Sequence, residues 1–236
     1  MYLNRPRRVF LWRLAALALL ENACAVPVRR DDGRLETGYL DFGGIRCYAA
    51  RAKESAGKLP AVLVIDENPA LNPHVEDVAR RVALEDFAAV APDLMSPQGA
   101  ATKLSAVVDD LAARGEHGKI GCIGFGWGGG MANQLAVNSA RVAAAVPFYG
   151  QVPDVLDVPR IKARLLLHYA ERDPGINTSV PAYEGALKAA GVQHAIHVYP
   201  GTDHGFHDDT AGARYNKEAA ELAWSRTIAF LKDALR

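Results

Sequence analysis

Three positions have the residue types, or the spacing, for acyl-transfer chemistry. Gly124-Phe125-Gly126-Trp127-Gly128 follows an apolar stretch from Ile120 to Phe125 and precedes a run of small residues. This is the G-x-nucleophile-x-G spacing of a strand-to-helix elbow, where a Ser or Cys is held above a sheet in a strained backbone conformation. The outer glycines suit such a turn because strand and helix backbones pass too close for a Cβ. The central position is Gly126, so the setting for a nucleophile is present and the attacking atom is not. Downstream, Asp173 follows the apolar run Leu165 to Tyr169, and His204 follows the next one. A carboxylate so placed accepts a hydrogen bond from the imidazole Nδ1–H, fixing the tautomer, and leaves Nε2 as a base. In isolation Asp173, before Pro174-Gly175, reads as a turn residue and His204 as a surface-loop histidine. Behind an elbow the two read as orienting acid and base.

The elements that must position these residues are legible from periodicity. Gly38 to Ala50 reads as a two-stranded entry turning at Gly43-Gly44. Pro60 to Ile65, Ala88 to Pro92, Ile120 to Phe125, Val142 to Tyr149, Arg164 to Tyr169 and Ala195 to Tyr199 are short apolar runs, as in strands buried on both faces. Between them lie helical patterns from Val75 to about Glu85, Lys103 to Arg114, and Pro181 to Ala190 with Gly191 as stop signal; Asn216 to Leu235 closes the chain. Alternating strands and helices predict an α/β fold, a doubly wound and mostly parallel sheet with helices on both faces. Chemistry in such sheets sits beyond the carboxyl ends of the strands. The loops there are Asp66 to His74, Gly124 to Gly129, Glu171 to Asn177 and Asp203 to Asp208.

With 236 residues, half of them hydrophobic, residues 31–236 are long enough to form one domain around a full core. Lys+Arg and Asp+Glu both number 27, and no basic stripe occurs, which argues against nucleic acid as a partner. Cys24, Cys47 and Cys122 lack CxxC spacing, so no zinc site is expected. Residues 1–30 stand apart. Arg5, Arg7 and Arg8 precede a mostly apolar stretch from Val9 to Leu20, and Ala23-Cys24-Ala25 offers a cleavage site. That is the layout of an export signal, with a twin-arginine flavour, or else a frayed extension. Arg13 and Glu21 interrupt the run, so no stable membrane span is expected. The expected location is periplasmic or secreted, or cytoplasmic if the segment is retained.

Elbow, acid and histidine occur in the order of the α/β-hydrolases. D-E-N-P-A-L-N-P-H-V-E-D-V-A-R-R, A-P-D-L-M-S-P, G-F-G-W-G-G-G, A-V-P-F-Y-G, L-L-L-H-Y-A-E-R-D and Y-P-G-T-D-H-G-F-H, spread over Gly38 to Leu235, together resemble the dienelactone hydrolase family. The resemblance implies the α/β-hydrolase fold and a Cys-His-Asp triad acting on carboxylic esters or lactones. By position, His204 and Asp173 match the triad histidine and aspartate, and the cysteine falls on Gly126. Glu67 matches a glutamate that lies against the resting nucleophile. The backbone N–H groups of Trp127 and Asn68 match the oxyanion hole. No cofactor or metal is implied; the partner is a small ester or lactone, and the chain is expected to be a monomer or small homo-oligomer.

The departures are equally specific. Besides Gly126, Asp208 stands where lactone-cleaving relatives carry an arginine, so an anionic lactone is disfavoured. The first loop begins Asp66-Glu67-Asn68-Pro69-Ala70 where relatives commonly read H-E-N-R-G, and the segment between Pro97 and Val107 is short. Cys122 cannot substitute, because four residues of strand put it roughly 13 Å behind the turn. Ser96 and Ser105 lack elbow spacing. His74, His168 and His207 read as structural or pocket-lining. The expectation is a family hydrolase with lost or weak activity; the alternative is a binding protein on the same fold.

Overall fold

A computed structural model of the chain describes residues 27–55 and 57–236. The export-signal reading therefore falls almost wholly outside the described residues. Its last residues, however, lie against the fold. The Val28 N–H donates to Asp77 Oδ1 at 2.5 Å, Arg80 Nε donates to the Val28 carbonyl at 2.6 Å, and Arg30 pairs with Glu76.

The sheet has eight strands in the order β1-β2-β4-β3-β5-β6-β7-β8. Strands β1 (Leu35–Phe42) and β2 (Ile45–Ala52) form the expected hairpin over Gly43-Gly44, and β2 runs antiparallel to β4 (Ala88–Pro92). The others are parallel: β3 (Ala61–Ile65), β5 (Ile120–Phe125), β6 (Val142–Phe148), β7 (Arg164–Arg172) and β8 (His194–Asp203). Every residue of β3, β4 and β5 is buried, which is why they read as unbroken apolar runs. Successive side chains enter opposite cores. Val62 and Val64 meet α1 (Pro73–Ala83) and α6 (Lys217–Ala234), whereas Leu63 and Ile65 meet α2 (Ala100–Arg114), α3 (Trp127–Asn138) and α5 (Val180–Ala189). This is the α/β-hydrolase architecture anticipated from the sequence.

The chain leaves β3 toward β4, then returns to place β5 on the opposite side of β3. The order reverses between β3 and β5, and a crevice opens beyond their carboxyl ends. Ile65 pairs with Gly124, so Glu67 and Gly126 leave the sheet side by side. At the far edge Arg172 pairs with Asp203, a bond reinforced by ion-pair contacts of 2.9 and 2.8 Å. The next residue on each strand is Asp173 and His204.

Three boundaries differ from the sequence reading. Helix α1 starts at Pro73, not Val75: Asn72 caps it, accepting from the N–H groups of His74 and Val75, with proline at the first helical position. Helix α2 starts three residues before Lys103, behind Gly99 in a left-handed conformation with no side-chain cap to mark it. Strand β8 continues past Pro200 to Asp203 because it is the sheet edge, where a missing N–H costs no ladder bond. Cys47 and Cys122 are both buried free thiols. They sit three strands apart, roughly 14 Å, too far to bridge.

Candidate active site

Gly126 is the hinge between β5 and α3. Its φ of 50° and ψ of −114° lie where side chains are strained, and its N–H donates to the Phe148 carbonyl at 3.0 Å. The glycines flanking it allow the turn to close. A Cβ on Gly124 would lie 2.0 Å from the Gly128 carbonyl oxygen, and one on Gly128 2.3 Å from the carbonyl oxygens of Ile65 and Asp66. A Cβ on Gly126 itself would meet only ordinary contacts: Glu67 Cγ at 3.4 Å, Glu67 Cδ at 3.5 Å and His204 Nε2 at 3.5 Å. Room for a nucleophilic side chain is thus intact, and it lies between the histidine and the glutamate.

His204 follows β8 and its Nδ1–H donates to Asp173 Oδ2 at 2.6 Å. Asp173 is 8% exposed and caps a one-turn helix (Pro174–Asn177); its carbonyl accepts from Ile176 and Asn177. Nε2 is left facing Gly126. Trp127 and Asn68 sit on the two loops that flank this point, Trp127 at the first residue of α3, where a helix leaves its N–H groups unused. The structure therefore brings together Gly126, Glu67, Asp173, His204 and Trp127; Asn68 is exposed on the loop after β3, next to Glu67 in the chain.

It also adds residues that sequence reading missed. Tyr149 is fully buried with a φ of 37°, and its ring lies 5.0 Å from that of His204. Burial first, then the charge on Glu67, pushes its phenol well above the ordinary range, so the hydroxyl stays protonated. With Gln151 and Val152 it comes from the loop after β6, the one strand end at the crevice that sequence reading passed over. A cleft of about 430 Å³ opens from Gly126 and His204 along α3. Its walls are Trp127, Met131, Val152 and Ile176, with Gln134 and Gln151 as neutral polar groups; among the described residues no lysine or arginine lines it.

The other candidates lie elsewhere. Cys122 is fully buried, and desolvation pushes its thiol up to about 12, so no thiolate forms there. Ser96 and Ser105 are absent from the cleft lining, as are His74, His168 and His207. His74 lies between Asp208 and Asp209, 3.6 and 3.1 Å away, and these three could hold a cation; Arg81, 2.8 Å from Asp209, already supplies positive charge. Asp208 is thus turned toward His74 and is not part of the cleft.

His168 and His207 are core residues. His168 bonds Thr227 and Tyr199, and His207 stacks 4.9 Å from Phe125. Burial pushes both below the ordinary range, His207 to about 3. Released by unfolding, each would take up a proton below about pH 6.5, so the stability present above that pH is lost as it falls toward 3. Asp66 works against this, since burial raises it to about 6 and its protonation on acidification relieves a desolvated charge. Two histidines outweigh one carboxylate. The melting temperature is expected to fall by roughly 5 °C or more between pH 7 and pH 5, and calorimetry should find a flatter profile for His207→Phe.

A model of the Dienelactone hydrolase family matches residues 45–105 and 97–235, most of the chain. The chain belongs to that family. Its relatives include a protein of Escherichia coli K12 named "Putative carboxymethylenebutenolidase", 31% identical over 220 residues (78% of this chain and 81% of the relative). A Salmonella typhi protein of the same name is 32% identical over 240 residues, covering 85% and 88%. Among solved structures, "Putative Dienelactone Hydrolase" from Klebsiella pneumoniae superposes with a TM-score of 0.76 at 27% identity, covering 84% of this chain and 98% of that one. In this member of the family, then, the turn between β5 and α3 has a glycine at its centre.

Proposed function

We propose that this chain is a hydrolase scaffold for small neutral carboxylic esters or lactones, in which the covalent route is closed at Gly126. The supporting observation is the 3.5 Å between the Cβ position of residue 126 and His204 Nε2. At that distance a cysteine or serine would meet a histidine already oriented by Asp173. Glu67 would hold the resting nucleophile, and the N–H groups of Trp127 and Asn68 would receive the oxyanion of the tetrahedral intermediate. Without the nucleophile, what remains is a cleft with base, oxyanion donors and substrate walls.

The neutral substrate class follows from the lining. Burying a carboxylate unpaired costs several kcal/mol, and among the described residues the cleft offers no arginine or lysine to offset it. The neutral amide 4-nitroacetanilide should raise the melting temperature of the protein at millimolar concentration, and 4-acetamidobenzoate should not. Equal stabilisation by the anion would refute the assignment. The second reading, a binding protein that never turns over, rests on Gly126 alone and predicts the same binding with no product.

A further inference from the structure

The space beside Gly126 is bordered by Glu67, through Cγ at 3.4 Å and the carboxyl carbon at 3.5 Å, and by His204; Tyr149 lines the same cleft. Glu67 Oε1 is buried and makes no hydrogen bond. The Tyr149 hydroxyl, also buried, faces the Glu67 carboxylate without closing a hydrogen bond of normal geometry. His204 Nε2 borders the same space at 3.5 Å from the Cβ position. Two buried groups that close no hydrogen bond of normal geometry and a ring nitrogen at the edge of one cleft amount to three partners. That is what a tightly held water requires. In an apolar setting such a group would be expensive to leave unsatisfied.

We propose that this space holds a hydrolytic water and that the protein cleaves neutral activated esters by a single displacement, with no acyl-enzyme. The proposal rests on the neutral-ester reading of the cleft. The Tyr149 hydroxyl donates to the water, Glu67 Oε1 accepts one of its hydrogens, and His204 Nε2 accepts the other. The water oxygen attacks the ester carbonyl carbon as its proton passes to Nε2, and the carbonyl π electrons move onto oxygen beside the Trp127 and Asn68 N–H groups. The tetrahedral adduct then collapses, the bond to the alkoxide breaks, and the alkoxide takes the proton back from Nε2. Ester and water become acid and alcohol, and His204 ends neutral. Asp173 holds Nδ1–H throughout. Glycine at position 126 is thereby a requirement of the route, since a side chain would occupy the place of the water.

The experiment is hydrolysis of p-nitrophenyl acetate by the full chain, with 4-nitroacetanilide binding measured in parallel. The parent should release nitrophenol linearly from the first turnover, without a burst. Glu67→Gln, which keeps the shape and removes the charge, should lower the rate at least about tenfold, and His204→Ala by as much or more. Gly126→Ala, which fills the space with one methyl, should do the same while 4-nitroacetanilide still raises its melting temperature; should that variant fail to fold, Glu67→Gln decides. A parent no faster than His204→Ala, or Glu67→Gln at the parent rate, would overturn the proposal. Failure of 4-nitroacetanilide to bind the parent would instead overturn the neutral-cleft reading, and this route with it.

Discussion

Gly126→Cys is expected to hydrolyse p-nitrophenyl acetate at least about 10³-fold faster than the parent, with an initial burst. A triad that lacks its nucleophile forfeits several orders of magnitude, and the proposed base is already bonded to its orienting carboxylate. Nε2 of His204 is 3.5 Å from the new Cβ, and Nδ1 is bound to Asp173 at 2.6 Å. The cleft beyond needs no change. The same substitution should cost stability, and its contacts identify the reason. The nearest atoms to the new Cβ, at 3.4 and 3.5 Å, are at ordinary van der Waals distance, so crowding of the Cβ contributes little. The backbone is the term that matters: φ of 50° with ψ of −114° is open to glycine and strained for cysteine by about 1–3 kcal/mol. Gly126→Cys should therefore gain activity and lose stability together. A variant as stable as the parent would refute the strain argument and leave the catalytic one standing.

The second large effect is on folding. Gly124→Ala should destabilise by about 4 kcal/mol or more, at the extreme of single substitutions. Its Cβ would fall 2.0 Å from the Gly128 oxygen and 2.5 Å from the Gly128 carbonyl carbon, backbone atoms that cannot rotate away. Relief would require β5 to separate from α3, yet β5 is held by β3 on one side and β6 on the other. Gly130→Ala is the internal control. Its nearest neighbour would be Gln151 Cβ at 3.6 Å, and alanine inside a helix gains up to about 1 kcal/mol over glycine. Urea denaturation of the pair separates a glycine that the elbow requires from one it merely tolerates; a Gly124→Ala midpoint near the parent's would contradict the close-approach argument.

Much of this site was legible in the sequence because it depends on local rules. The glycines at 124 and 128 encode close backbone approach: a Cβ at either would fall 2.0 or 2.3 Å from a carbonyl oxygen. Asp173 and His204 each follow an apolar run, and parallel register then delivers them side by side through Arg172 and Asp203. What could not be read depends on partners distant in the chain. Tyr149 reaches the site because β6 neighbours β5, and its place against His204 and Glu67 has no trace in its own neighbours. His207 looks like a loop histidine yet is a core residue, because Phe125 and Trp224 converge on it from β5 and α6. Asp208 reads as a substrate-side departure by sequence position, but its carboxylate accepts from the Thr210 N–H and hydroxyl and lies 3.6 Å from His74, outside the cleft. Strand β8 outruns its apolar pattern because an edge strand tolerates Pro200.

The central claim is that everything but the nucleophile of a covalent ester hydrolase is assembled here. Intact-mass spectrometry after brief exposure to p-nitrophenyl acetate tests it most directly, using the parent, Gly126→Cys and Gly126→Cys/His204→Ala. One acetyl group should appear on Gly126→Cys, none on the parent, and little on the double variant. An acetylated parent would reveal another nucleophile, and an unmodified Gly126→Cys would mean that the base, the oxyanion donors or the cleft no longer fit an ester; either result would contradict the account.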